Sequence, residues 1–136
     1  MKKIGGCLCG QVRYETKAEP MMTGVCHCKN CQKQAGSAFS TLEAFQKTDI
    51  EFTGDLALYG DSDTDTGNTV KRFFCGTCGS PLYSQVPAQP DMVYLKTGIL
   101  DDTDSFVAMF HCWSSTKQNW VELSPNVPAF PQNPAG

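Results

Sequence analysis

Histidine, tryptophan and arginine are scarce in this sequence, with two of each in 136 residues. Two arginines form no basic stripe, and a phosphate backbone demands neutralising charge, so nucleic-acid binding is excluded as the main role. The pI near 5.2 points the same way. Apolar runs are also lacking. None approaches the roughly 18 residues of a membrane-spanning helix, so no membrane span is expected. Met1-Lys2-Lys3 has the charge of a signal-peptide n-region, but Ile4-Gly5-Gly6-Cys7 follows where an apolar stretch belongs. The expected location is therefore a reducing cytoplasm, where clustered cysteines more often mean metal or catalysis than disulfides. Eight phenylalanines and a formal charge of -3 argue against disorder.

What is present in quantity is turn chemistry. Glycine (12) and proline (8) recur along most of the chain and leave few stretches for a long helix. Short alternating or β-branched segments are predicted as strands at 11–16, 38–45, 49–53, 56–59, 69–75, 82–86, 92–97, 106–112 and 120–123. The best helix runs from Lys29 to Ala35, with Gly36 placed to end it. The segment 99–124 lacks Gly and Pro. Phe106, Met109 and Trp113 fit helical spacing there, while Phe106, Ala108, Phe110 and Cys112 fit strand alternation. The stretch Asp61 to Asn68 resembles a calcium loop only superficially. An EF-hand wants Gly sixth and Glu twelfth, and Thr66 and Arg72 stand there. A solvated loop is expected. One domain over 1–136 is expected, ending in a proline-punctuated tail that is an extended strap or a frayed end.

Cysteine is the unusual component: eight residues, seven of them within three positions of another. They form Cys7-x-Cys9, Cys26-x-Cys28-x-x-Cys31 and Cys75-x-x-Cys78, with Cys112 alone. A C-x-x-C turn converges two thiolates on one tetrahedral zinc, and the glycines around Cys75 and Cys78 permit the tight backbone. A thioredoxin-type redox pair would need a βαβ setting, which the sequence around Pro81 does not offer. Seven thiolates divide into a closed set of four and a set of three with a vacancy. Cys7, Cys9, Cys75 and Cys78 with Cys26, Cys28 and Cys31 is one such division; pairing Cys7 and Cys9 with the middle knot is another. A closed site is structural, and a vacancy is where chemistry happens. Three thiolates on Zn²⁺ leave a net charge of about -1, better suited to a substrate thiolate than to sharpening a water. His27 lies between two ligands and is expected to point away from their metal; Cys112 reads as a buried small hydrophobe.

The motifs Gly5-Gly6-Cys7-Leu8-Cys9-Gly10, Cys26-His27-Cys28-Lys29-Asn30-Cys31 and Arg72-Phe73-Phe74-Cys75-Gly76-Thr77-Cys78-Gly79-Ser80-Pro81 carry a resemblance over nearly the whole chain. The sequence resembles the glutathione-dependent formaldehyde-activating enzyme family, which includes centromere-protein-V-like proteins. The resemblance implies a mostly β, zinc-supported β-tent-like fold of several small antiparallel sheets with one short helix. It implies two zinc ions per chain: a structural one on Cys7, Cys9, Cys75 and Cys78, and a functional one on Cys26, Cys28 and Cys31. It implies a carbon–sulfur lyase acting on an adduct of a small thiol such as glutathione with an aldehyde, S-(hydroxymethyl)glutathione being the family's substrate.

Glutathione is anionic, so Lys29 and Lys33 beside the middle knot, and Arg13 and Arg72 flanking the others, are candidate contacts against a default of surface solvation. Arg72 could instead stabilise the four-cysteine site. His27 and His111 are candidate proton shuttles, with a structural role the simpler reading. A non-catalytic zinc module for a protein partner and an oxidation-responsive zinc site remain as competing readings.

Overall fold

The computed structural model describes residues 2–62, 64 and 67–133. Among these the chain is mostly β, with ten strands in two sheets and one short helix. The elements are β1 (Ile4–Gly6), β2 (Arg13–Thr16), β3 (Met22–Cys26), α1 (Lys29–Ala35), β4 (Ser40–Gln46), β5 (Ile50–Thr53), β6 (Leu56–Asp61), β7 (Val70–Cys75), β8 (Pro81–Gln85), β9 (Met92–Lys96) and β10 (Phe110–Cys112). Three strands form one sheet in the order β1-β2-β5. The other seven run β10-β3-β4-β9-β8-β7-β6. All pairings are antiparallel except β10 with β3.

Alternation gives the large sheet two faces with different tasks. On one face Phe45, Tyr83, Val93 and Leu95 pack against Tyr14 and Ile50 of the small sheet. An aromatic row bridges the sheets: Phe52 stacks on Tyr83 at 4.5 Å, and Tyr83 on Phe73 at 4.4 Å. Glu43 is fully buried on this face and is held by the Lys3 ammonium at 2.9 Å. On the opposite face, register partners Cys26 and Ser40, Cys26 and Cys112, Leu42 and Lys96, and Arg72 and Ser84 point away from that core.

Helix α1 has the predicted bounds. Cys28 caps it, its Sγ accepting from the Cys31 amide at 3.2 Å, and Gly36 ends it in the left-handed region at φ 64°. A residue of the first helical turn and a candidate metal ligand are thus set by one turn of backbone. Strands β1 and β3 were not predicted. Met22–Cys26 contains Gly24, which weakens its strand pattern. That glycine serves close packing, because a Cβ there would meet the Phe110 ring at 2.8 Å. The predicted strand at 106–112 is confined to Phe110–Cys112. No strand forms at 120–123, where Val121 alone is buried and no neighbouring edge is supplied. No helix forms in 99–124 beyond single 3₁₀ turns. Of the loop read against calcium, Asp63, Asp65 and Thr66 lie outside the described residues. Asp61 is buried at the end of β6. No helix among the described residues is long and apolar enough to cross a membrane.

Leu95 is fully buried between the sheets. Leu95→Ala should lower unfolding free energy by about 2–5 kcal/mol in denaturant titration. Gly36→Ala meets open space and loses only its left-handed preference, about 1–2 kcal/mol. Gly54→Ala should cost more, because at φ 97° its Cβ would also lie 2.0 Å from the Gln11 carbonyl oxygen.

Candidate metal centres

Seven cysteine sulfurs gather in two places. In each, the ligand atoms lie within 4.8 Å of one another: Cys7, Cys9, Cys75 and Cys78 in one, and Cys26, Cys28 and Cys31 in the other. The division that pairs Cys7 and Cys9 with the middle knot is thereby eliminated. Among the described residues all eight cysteines are free thiols.

The four-cysteine cluster joins the β1–β2 loop to the β7–β8 turn, linking the two sheets. Cys75 and Cys7 are buried, Cys78 is half-buried and Cys9 is exposed. The sulfurs of Cys7 and Cys9 lie 3.6 Å apart, and those of Cys9 and Cys75 3.8 Å apart. Ligands about 2.3 Å from a tetrahedral zinc would sit roughly 3.8 Å from one another, so the donor set fits zinc. Backbone and hydroxyl donors address the sulfurs. The Val12 amide donates to Cys7 at 3.2 Å, and Ser80 Oγ lies 3.3 Å from Cys78 Sγ. Ser80 and its amide pull the Cys78 thiol down to about 5. Cys9 goes up to about 11, because desolvation and the neighbouring thiols outweigh the Gln11 amide. The turn itself closes through Gly79 N–H to the Cys75 carbonyl at 2.8 Å, with Gly79 at φ 80°.

The three-cysteine cluster is built from the end of β3 and the start of α1. Among the described residues no fourth His, Cys, Asp or Glu completes it. Hydrogen bonds from Cys26 and Cys28 lower the Cys31 thiol, assisted by Lys96 and Arg72. The Cys26 and Cys28 thiols rise, Cys26 first through Cys112 and Cys28 first through Cys26. All three thiols border a cavity of about 830 Å³. None of Cys7, Cys9, Cys75 or Cys78 does.

Two buried cations attend this cluster, and sequence reasoning misplaced one and missed the other. Arg72 lies on β7, three residues before Cys75 of the four-cysteine cluster, yet its side chain faces the three-cysteine cavity. Nε and an Nη atom each lie 2.9 Å from Asp61. Asn30 of α1 donates to the same carboxylate at 3.0 Å. The expectation that Arg72 stabilises the four-cysteine site gives way to this geometry, since residue 72 alternates away from residue 75 on β7. Lys96 is buried with Nζ 2.6 Å from Ser40 Oγ. Burial lowers its pKa, opposed by the thiolates, Cys31 foremost. A polar residue at the end of an alternating strand and opposite Leu42 was the available signal for it.

The other candidates lie elsewhere. Lys29 and Lys33 are exposed and do not border the cavity. Arg13 pairs with Asp101 at 2.6 Å. His27 does point away from its flanking cysteines. It is fully buried, with Nε2 3.0 Å from His111 Nδ1 and its ring against Phe39. Neither histidine borders the cavity, so the shuttle role gives way to the structural one. Cys112 is buried as expected, but beside Cys26.

The fold and the two cysteine clusters define a mostly β protein with two groups of sulfurs placed so that each could hold a metal ion. The chain belongs to the glutathione-dependent formaldehyde-activating enzyme family, whose model matches residues 2–116. It is also similar to a crystal structure of a Rhodobacter sphaeroides protein. That similarity has a TM-score of 0.58 and 25% identity, covering 77% of this chain and 92% of the other. No curated protein is significantly similar to it in sequence.

The purified chain should carry two zinc ions by elemental analysis. Cys28→Ala should carry one and keep its near-UV circular dichroism. Cys75→Ala should lose that signal, because its cluster ties residues near 7–9 to those near 75–78. Complete chelation should abolish the signal in the wild type, and a retained signal would contradict a structural metal.

Proposed function

We propose that the chain, as one domain over 1–136, is a zinc-dependent carbon–sulfur lyase of the formaldehyde-activating type. It makes or breaks a small thiol adduct such as S-(hydroxymethyl)glutathione. The supporting observation is the contrast between the clusters: three sulfurs converge at the wall of the 830 Å³ cavity, and the four of the other cluster converge outside it. Cys7, Cys9, Cys75 and Cys78 would hold the structural ion, and Cys26, Cys28 and Cys31 the functional one. When bound there, zinc supplies a soft Lewis-acidic position that favours a substrate sulfur as thiolate.

The chain's own residues do the rest. Cys28 and Cys31 are fixed by the helix cap, so the ligand geometry is set before substrate arrives. Lys96 offsets the net negative charge that three thiolates leave around a divalent ion. Asp61 and Asn30 tie α1 to the β6–β7 hairpin, holding one cavity wall against the other. In the condensing direction the thiol sulfur bonds to the carbonyl carbon, and the thiol proton ends on the carbonyl oxygen. The reverse reaction returns free thiol and aldehyde.

Exchange between free and thiol-bound ¹³C-formaldehyde, followed by NMR with glutathione and with simpler small thiols, tests this. The zinc-loaded protein should accelerate exchange for at least one thiol by about tenfold or more over Cys28→Ala. Equal rates for every thiol would leave a non-catalytic zinc module in its place.

A further inference from the structure

The cavity bordered by Cys26, Cys28 and Cys31 is walled mostly by carbon. Leu42, Val70 and Tyr94 from the sheet, Val86 just beyond β8, and Phe110 and Phe130 near the C-terminal strap all line it. Trp113 also borders it, in an unusual conformation. It is the one non-glycine residue with positive φ (57°) among those described, where a bulky side chain costs about 1–2 kcal/mol. The strap holds it there: Trp113 N–H donates to the Gln132 carbonyl at 3.1 Å, and its indole N–H to Asn133 Oδ1 at 2.9 Å. Backbone strain sustained by several hydrogen bonds, with an aromatic ring presented to a cavity, is a positioning arrangement.

Charge in the cavity is cancelled rather than offered. The Arg72 guanidinium is spent on Asp61. Lys96 is buried and does not border the cavity; its charge matches the roughly -1 that three thiolates leave around a divalent ion. Lys29 and Lys33 point to solvent. Glutathione brings two carboxylates and an ammonium, and a carboxylate buried without a cation is strongly disfavoured. The volume also exceeds what a hydroxymethyl group needs.

We infer that the preferred substrate is the adduct of an uncharged thiol bearing an aryl or alkyl group, with sulfur at the Cys26–Cys28–Cys31 site and the apolar body against Leu42, Tyr94, Phe110, Trp113 and Phe130. This rests on the proposed thiol chemistry and names its substrate class. The step is R–SH + H₂C=O ⇌ R–S–CH₂OH. One C–S bond forms, and the thiol proton moves to the carbonyl oxygen, with no oxidant or reductant needed.

The test compares phenylmethanethiol with glutathione on the zinc-loaded full chain. Calorimetry and tryptophan fluorescence report affinity, and the visible spectrum of the cobalt-substituted protein reports sulfur reaching the metal. Phenylmethanethiol should bind at least about tenfold more tightly than glutathione. Val86→Asp, which adds a carboxylate to the wall, should weaken phenylmethanethiol by about fivefold or more with zinc content unchanged. Glutathione binding equally or more tightly while changing the cobalt spectrum would overturn the substrate class and leave the proposed thiol chemistry standing. An unchanged thiol preference in Val86→Asp would also overturn it. No spectral change from either thiol would remove the proposed thiol chemistry and this inference together.

Discussion

The large sheet must satisfy two solvents at once, and the rest of the molecule depends on that constraint. Successive side chains of a strand point to opposite faces. Here one face is pressed into an apolar core by the small sheet, and the other borders a cavity with three thiols in it. Strand β7 shows the division in adjacent positions. Phe73 stacks into the core on Tyr83, and Arg72 reaches the cavity side and Asp61. A one-residue slip in its pairing would bury the cation among aromatics and expose the aromatic to the site. The bulge between Phe73 and Phe74 confines such a slip to the end of the strand, where the Cys75 turn begins.

Burying sulfur ligands imposes a second constraint, because thiolates out of water need compensation. The two clusters meet it differently. Around Cys7 and Cys78 the partners are the Val12 amide and Ser80, which are neutral donors on tight turns. Around Cys31 they are the Cys26 and Cys28 thiols, with the charges of Lys96 and Arg72 acting from strands in other parts of the chain. Neutral donors suit a closed site in which the metal itself supplies the positive charge.

Much of this was legible because the ligands sit in turns with local signatures. Cys75-Gly76-Thr77-Cys78-Gly79 and Cys28-Lys29-Asn30-Cys31 each declare their geometry within five residues. Helix α1 follows with its bounds intact because its cap and its stop, Cys28 and Gly36, are adjacent in sequence. The cavity walls were not legible. Leu42, Arg72 and Tyr94 line the cavity only through register across strands separated by tens of residues, and no local pattern encodes that register. Strand β3 was missed because Gly24 reads as a strand breaker, although its missing Cβ is what admits Phe110.

That difference in encoding separates what transfers along a family from what does not. Short-range turns gather the cysteines of the two clusters, and the motifs that carry the family resemblance are those same turns. Cavity walls arise from one face of a sheet, where single substitutions at alternate positions change polarity without disturbing strand, turn or ligand. Val70, Val86 and Leu42 occupy such positions. Replacing them with lysine or arginine would leave the core face untouched and convert the same cavity into one fit for an anionic thiol. Local turns therefore place the cysteine clusters, and one face of the sheet sets the polarity of the cavity beside them.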